Sequence, residues 1–145
     1  MEVLFDTANI SIEALNARCE NTLNTAIGLS FTGIDERNLY AELEVGTNNC
    51  QPLGHLNGGT SLAIIEILGS LAANLVIDNS LFIAVGQQVN AHHFRPALMG
   101  EKVKARAYSL HIGKKSQVWE VVIFNGVHKT ICKGTITMAV INKQP

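Results

Sequence analysis

The sequence has few charges of either sign and few cysteines. Its 145 residues include 11 Lys plus Arg and 12 Asp plus Glu, so the formal net charge is −1. No overall positive field is therefore available to bind nucleic acid or an anionic membrane. Three widely spaced cysteines without a CxxC pair argue against a disulfide framework and against a zinc site. We therefore expect a metal-free protein of the reducing cytoplasm.

The chain also has no recognisable secretion signal and no room for a second domain. Its first residues carry Glu2 and Asp6, with neither a basic start nor an apolar run. A hydrophobic content of 47% combined with so small a net charge excludes disorder. We predict one domain over residues 1–145 with a hydrophobic core of its own.

Alternating apolar and polar residues predict an antiparallel sheet. The segment from Ser11 to Leu23 has helical spacing, with Ser11 as its N-cap. The runs TAIGLSFTGID and NLYAELEV then flank a turn near Asp35 and Glu36. Four later runs, rich in Val, Ile, Thr and aromatics, are separated by turn signals. The predicted order is a short helix, two strands, a long apolar helix and four strands.

The most informative segment is the apolar stretch from Gly58 to Ile77, whose single charge is Glu66. Its length also suits a membrane span, but a carboxylate in mid-bilayer is costly and flanking Lys and Arg are absent. We therefore predict a buried helix. One long apolar helix beside about six antiparallel strands indicates an α+β fold in which a curved sheet wraps around the helix.

Glu66 requires an explanation, because an unpaired buried carboxylate is very costly. One interpretation is a satisfied structural Glu that caps a backbone group or pairs with an Arg such as Arg95. The other places Glu66 in a cleft at a subunit interface, where it acts as a base or nucleophile. Ser70, one helical turn further on, would then orient the carboxylate. The residues alone leave both interpretations open.

The start of the same helix is a second candidate feature, the run NGGT from Asn57 to Thr60. Free backbone N–H groups in the first turn lie at the positive end of the helix dipole, which suits a developing oxyanion. The two glycines also let a ligand approach the backbone closely. The plainer alternative is an N-cap Asn57 followed by a tight turn.

Three stretches of the sequence resemble one protein family. The string QPLGHLNGGTSLAIIEILGSLAANL, followed by GQQVNAHHFRPALMG and LHIGKKSQVWEVVIF, is similar to the hotdog-fold acyl-CoA thioesterases. The greatest likeness is to the Arthrobacter-type 4-hydroxybenzoyl-CoA thioesterase and the 1,4-dihydroxy-2-naphthoyl-CoA thioesterases. The resemblance implies an antiparallel sheet wrapped around one long central helix. It also implies a homodimer or homotetramer with active sites at subunit interfaces.

The resemblance assigns roles to five residues around this helix. The catalytic carboxylate falls on Glu66, the hydroxyl one turn later on Ser70, and the active-site Gln on Gln51. Gly58 takes the place of the glycine whose backbone N–H polarises the thioester carbonyl. Asn57 is a departure, because the family usually has His there and Asn carries no proton at neutral pH.

The resemblance also implies a coenzyme A site. His93, within NAHH, takes the place of the family's His on the strand after the helix, and Arg95 is a helper nearby. The run HIGKKSQVW resembles the segment that holds the nucleotide end of coenzyme A, where ammonium and backbone N–H groups suit phosphates. Its candidate residues are Gly113, Lys114, Lys115 and Ser116. The alternative for this turn is a solvated hairpin.

The function implied is hydrolysis of an acyl-CoA, with an aromatic or medium-chain acyl group, to a free acid and coenzyme A. Glu66 would be the general base or the nucleophile. No cofactor is expected, since coenzyme A is part of the substrate. No nucleic acid or membrane partner is expected either. The alternative is a non-catalytic acyl-CoA binding or sensing protein, with Asn57 as the sign of lost chemistry. Binding without hydrolysis would distinguish it.

Overall fold

The computed structural model describes residues 3–144; Met1, Glu2 and Pro145, at the ends of the predicted domain, lie outside the described residues. Within that range the chain forms a curved antiparallel sheet and three helices. In chain order the elements are α1 (Ile12–Arg18), α2 (Leu23–Ile27), β1 (Ser30–Ile34), β2 (Asn38–Glu44), α3 (Gly58–Leu75), β3 (Phe82–Val89), β4 (His92–His93), β5 (Lys102–Ile112), β6 (Ser116–Phe124) and β7 (Thr130–Asn142). The α+β fold predicted from the sequence is confirmed.

The sheet has the spatial order β1-β2-β5-β6-β7-β3, and the short β4 also pairs with β7. Side chains alternate between its two faces, as on β6, where Gln117, Trp119, Val121 and Ile123 are buried and their neighbours are partly exposed. One face of the sheet therefore packs on the core and the other meets solvent. Strand β3 pairs with β7 on one side and forms an edge of the sheet on the other.

Helix α3 packs against the buried face of the sheet and contacts β2, β3, β5, β6 and β7. At Gly69 the approach to β7 is so close that an added Cβ would lie 2.2 Å from Cγ2 of Ile136. By length and composition α3 is apolar enough to cross a membrane. Here it is the core helix of the fold, with Ile65 and Leu68 fully buried beneath the sheet.

The predicted helix from Ser11 to Leu23 is wrong in its extent, because α1 ends at Arg18 and a separate helix α2 follows. Ser11 is the N-cap of α1 as predicted, with its Oγ accepting from the Ala14 N–H at 3.1 Å. The first predicted strand is also too long, since its residues up to Ile27 belong to α2.

Distant contacts explain this second helix. The Asn48 side chain donates to the carbonyl of Ala26 at 2.8 Å, and the Asn49 side chain donates to the carbonyl of Ile27 at 2.9 Å. These bonds satisfy carbonyls at the end of α2 that have no partner within the helix. Because the donors lie 22 residues away, local periodicity gives no sign of them.

Candidate active site

The loop between β2 and α3 is held by one buried side chain, Asn49. Its Nδ2 donates to the carbonyls of Ile27 and Glu44, each at 2.9 Å, and its Oδ1 accepts from the Gly46 N–H at 2.9 Å. The Asn49 carbonyl accepts from the hydroxyl of Thr60 in the first turn of α3. Asn49 thus fixes the loop that carries Gln51 relative to the start of the helix.

Asn57 is the N-cap of α3. Its Oδ1 accepts a hydrogen bond from the Gly59 N–H at 2.7 Å, so the side chain is engaged by the helix itself. The N–H of Gly58, the first helical residue, has no acceptor within the helix and lies at the positive end of the dipole. The plainer alternative for this run and the oxyanion-binding interpretation are therefore compatible, because the cap leaves the Gly58 donor available.

A first cleft of about 360 Å³ lies at this N-terminal end of α3 and brings together Gln51, Gly58, His93 and Arg95. The His93 ring covers Gly58 so closely that an added Cβ there would lie 3.3 Å from Nε2. The Gln51 Oε1 accepts from the Leu53 N–H, which leaves the Nε2 donor for a ligand. Arg95 donates from Nη1 to the carbonyl of Thr130 at 2.7 Å.

The ion pair between Arg95 and Glu66 is not formed, because the two side chains lie in different clefts. Glu66 and Ser70 share a second cleft of about 560 Å³ between α1 and α3. Its apolar wall consists of Phe31, Ile67, Leu71, Leu75 and Ile83. Glu66 is half-buried, and its carboxylate lies over Gly86 of β3.

A third cleft of about 890 Å³ lies at the C-terminal end of α3, where Val76 and Ile77 contribute to its lining. The β5–β6 turn borders it with Gly113, Lys114 and Lys115, and the Gly113 N–H donates to the Ser116 carbonyl at 2.9 Å. Both lysines are exposed. The turn is a tight hairpin with two ammonium groups at its tip. This geometry is compatible with a phosphate-binding site and equally with a solvated hairpin.

Within one subunit the candidate residues therefore lie in three separate clefts along α3. Gly58 and Glu66 are eight residues apart, which is about 12 Å along a helix axis, and the lysine turn lies beyond the far end of the helix. A single thioester carbonyl cannot contact both the Gly58 N–H and the Glu66 carboxylate across that distance. The site as predicted is thus incomplete within one copy of the chain.

Electrostatics exclude one nucleophile near the first cleft. Cys132 pairs with His93 across β4 and β7, and burial raises the pKa of its thiol, although a hydrogen bond with Ser61 opposes this. The thiol is therefore neutral at physiological pH and is not an active thiolate. Among the described residues, no group of three or more His, Cys, Asp or Glu side chains is arranged to hold a metal ion.

The sequence prediction missed several polar or small residues that shape these clefts. Asn74 was detectable, because it lies two turns after Glu66 on the same helical face. Gly86 was also detectable, because an isolated glycine in a strand often marks a close approach. Buried Asn49 and buried Gln117 carry no such local signal. The Gln117 Oε1 accepts from Trp119 Nε1 at 2.8 Å, while its buried Nε2 has no partner among the described residues.

Comparison with known proteins agrees with this architecture. Residues 53–132 match the model of the thioesterase superfamily. The proofreading thioesterase EntH of Klebsiella pneumoniae is 36% identical over 132 residues, which cover 91% of this chain and 95% of that protein. The crystal structure of a variant of thioesterase PA1618 from Pseudomonas aeruginosa has a TM-score of 0.92 and 34% identity, covering 97% of this chain and 99% of that one.

A second solved structure, thioesterase HI1161 of Haemophilus influenzae, has a TM-score of 0.90 and 34% identity. It covers 98% of this chain and 96% of that one. More than half of the present chain lies within the family match, and two relatives are similar over nearly their full length. The curved sheet around a central helix, the family match and these relatives together show that the chain belongs to the hotdog-fold thioesterase superfamily, whose members hydrolyse thioesters.

Proposed function

We propose that this protein hydrolyses an acyl-CoA with an aromatic or medium-chain acyl group, and that its active site forms between two copies of the chain. The observation that carries the proposal is the division of the candidate residues. Gln51, Gly58 and His93 share one cleft, and Glu66 and Ser70 share another. Each cleft holds half of the groups that thioester hydrolysis needs.

The edge strand β3 is the surface that we assign to the second copy. Among the described residues its outer edge pairs with no strand, with Asn74 bonded to the backbone at Ala84, and Ile83 and Val85 are each 37% exposed. An exposed apolar edge is a template for pairing with another chain. Antiparallel pairing of β3 with β3 of a second copy gives a closed, two-fold symmetric homodimer. Two such dimers would form a homotetramer.

Two-fold pairing places opposite ends of the two subunits side by side. The N-terminal end of α3 in one copy, with Gly58 and His93, comes beside the C-terminal end of α3 in the other. The Lys114–Lys115 turn lies at that C-terminal end, and Glu66 lies against β3 between the two ends. Each interface would therefore combine the first cleft of one copy with the second and third clefts of the other.

The chemistry follows from these groups. The Gly58 N–H and the helix dipole polarise the thioester carbonyl and stabilise the oxyanion. In the general-base route Glu66 takes a proton from water, the oxygen of that water attacks the carbonyl carbon, and the C–S bond breaks. The departing thiolate then takes the proton back from Glu66. In the nucleophilic route the Glu66 carboxylate attacks the carbonyl carbon and the C–S bond breaks, which gives an acyl–Glu66 anhydride and the coenzyme A thiolate. Water then adds to the anhydride and restores the Glu66 carboxylate with release of the acid, and the proton that the water loses passes to the thiolate.

The remaining residues would position these groups. Ser70, one turn from Glu66, orients the carboxylate, and the Gln51 Nε2 donor holds the carbonyl or the water. Asn57 acts through the helix cap, because its amide oxygen is already bonded to Gly59. A proton carrier at that position is therefore not required by either route. Asn57 is then a helix-capping residue of an active enzyme rather than a sign of lost chemistry.

The third cleft would hold coenzyme A. Lys114, Lys115 and the Ser116 hydroxyl are suited to the phosphates, with Arg95 of the other copy as a helper. The apolar wall beneath the turn suits the pantetheine arm. Gln117 borders the same cleft, where it is fully buried and its Oε1 accepts from Trp119 Nε1.

We expect no cofactor in this reaction beyond the coenzyme A of the substrate. We place the protein in the reducing cytoplasm, since Cys19, Cys50 and Cys132 are all free.

The test is thiol release from a panel of aromatic and medium-chain acyl-CoAs. Glu66→Gln keeps the size of the side chain but removes its basicity, so turnover should fall by about 10² to 10⁴ with an unchanged melting temperature. Glu20→Gln, at an exposed Glu after α1, is the matched control and should keep full turnover. If the wild type releases no thiol but coenzyme A raises its melting temperature, the binding-protein alternative replaces the enzyme.

A further inference from the structure

We propose that Gly86 is a positioning residue for the catalytic carboxylate, an inference that rests on the proposed role of Glu66. Gly86 lies on β3 directly beneath the carboxylate. A Cβ added there would lie 2.5 Å from Glu66 Oε1, 3.1 Å from Oε2 and 3.2 Å from Cδ. The space that any other residue would fill with its Cβ is therefore occupied by the reacting group.

The backbone does not explain a glycine at this position. The φ of Gly86 lies outside the left-handed region, which among the described glycines is occupied by Gly28, Gly54 and Gly100. An alanine could therefore adopt the same backbone conformation without strain. What distinguishes glycine here is that an added Cβ would force the end of the flexible Glu66 side chain to shift.

A side-chain clamp fixes the helix in register with this strand. The Asn74 Oδ1 accepts from the Ala84 N–H at 2.9 Å, and its Nδ2 donates to the Ala84 carbonyl at 2.9 Å. The same Nδ2 also donates to the carbonyl of Ser70 at 2.9 Å. Asn74 thus bonds both backbone groups of one residue on β3 while remaining tied to its own helix.

The clamp and the glycine lie on matching faces of the two elements. Glu66, Ser70 and Asn74 are spaced by four residues and share one face of α3. Ala84 and Gly86 are two residues apart and share one face of β3. From Asn74 to Glu66 the helix spans about 12 Å, whereas from Ala84 to Gly86 the strand spans about 7 Å. With Asn74 bonded to the backbone of Ala84, the long Glu66 side chain reaches back toward the clamp to lie over Gly86. The strand register shifts immediately afterwards, between Gly86 and Gln88, so the flat stretch of the strand ends beneath the carboxylate.

The side chain at position 86 therefore determines how closely the Glu66 carboxylate approaches strand β3. Glu66 has a flexible side chain and no hydrogen bond or ion pair to another described residue. Because Gly86 has no Cβ, the Glu66 carboxylate can contact the strand backbone. In that position it would lie within reach of the thioester carbonyl carbon. A methyl group at this position would move the carboxylate without displacing the backbone.

The experiment is Gly86→Ala, measured as kcat and KM with the best acyl-CoA of the panel. We expect kcat to fall about 10- to 100-fold, because a displacement of about 1 Å at a reacting group has effects of that size. KM should change little, since the substrate-binding groups lie elsewhere. Gly33→Ala is the matched control, because its added Cβ would lie 3.9 Å from Tyr40 Cδ2 and needs no rearrangement.

Repeating Gly86→Ala in a Glu66→Asp variant distinguishes positioning of the carboxylate from a general effect on the structure. In Glu66→Asp the carboxylate is one methylene shorter and withdraws from the strand, so adding Gly86→Ala should cost much less than it does in the wild type. An equal loss of kcat in both backgrounds, or wild-type kcat in Gly86→Ala, would overturn the proposal. If Gly86→Ala fails to fold, folding of the double variant supports the proposal, and failure of both variants overturns it.

Failure of the proposed function gives a different result. In that case the wild type releases no thiol, or Glu66→Gln retains wild-type turnover, and the inference about Gly86 falls with it. If turnover depends on Glu66 but is indifferent to Gly86 in every background, the inference alone is wrong.

Discussion

The N-terminal end and the middle of α3 carry different kinds of candidate catalytic group. At the N-terminal end, Gly58 offers a backbone N–H whose direction is set by the helix and by the Asn57 cap. In the middle, Glu66 offers a flexible side chain that depends on a neighbouring strand for its place. The donor for an oxyanion can therefore be positioned by local helix structure, whereas positioning of the Glu66 carboxylate depends on tertiary contacts.

The same difference is the reason that the proposed site would need two copies of the chain. Both groups lie on one rigid helix, so their separation of about 12 Å is fixed and cannot be closed by a loop movement. In the proposed dimer a second copy would supply the missing half without any movement of the helix. Successively smaller effects are expected from changes to the contact between the halves, to one half alone, and to a buried neighbour of one half.

The largest effect is expected from a charge placed on the β3 edge. Val85→Asp should prevent pairing of the edge strands, because inward or edge charges are how sheets resist association. We expect a monomer in analytical ultracentrifugation and a fall in thiol release of about 100-fold or more, with both halves intact but apart. Val127→Asp is the control, at a residue that is 71% exposed in the β6–β7 turn. A monomer that retains full turnover would contradict the two-copy site.

An intermediate effect is expected from the lysine turn, which concerns binding alone. Replacing Lys114 and Lys115 together by Ala should raise KM about tenfold, as for the loss of about 1.4 kcal/mol of phosphate binding. The kcat should stay near that of the wild type, because neither lysine contacts the reacting atoms. Lys129→Ala, an exposed lysine of the β6–β7 turn, is the control. A fall in kcat with unchanged KM would assign the turn a different role.

The smallest effect concerns Cys132, the buried neighbour of His93. Because burial raises the pKa of its thiol, the folded state keeps a proton that the unfolded chain releases. Its contribution to stability is therefore complete below the thiol pKa of the unfolded chain, about 8.5, and is lost as pH rises through the folded value. The melting temperature should fall less between pH 7.5 and about pH 10 in Cys132→Ala than in the wild type. An equal fall would show that this thiol does not contribute.

The fold could be predicted from the sequence because its signals are local. The apolar run of α3, the alternation along β6 and the cap at Ser11 each follow from neighbouring residues. The limits of α1 and α2 could not be predicted in this way. They depend on carbonyls that Asn48 and Asn49 satisfy from a loop distant in the sequence.

The candidate residues were predicted by resemblance, and the structure divides them among three clefts. Gln51, Gly58, His93 and Arg95 come together, as do Glu66 and Ser70, while Gly113 to Ser116 form a separate turn. The residues that support them are less visible. Asn74 and Gly86 matter through contacts between a helix and a strand, and periodicity within either element does not reveal which pairs meet.

The two-copy site is tested most directly by mixing two inactive variants. Gln51→Ala damages the first cleft and Glu66→Gln damages the second, and each homodimer would carry two broken sites. After unfolding and refolding at equal concentrations, about half of the dimers are hybrids, each with one intact and one doubly damaged site. The account predicts recovery of about one quarter of wild-type thiol release. Activity that stays at the level of the separate variants would contradict it.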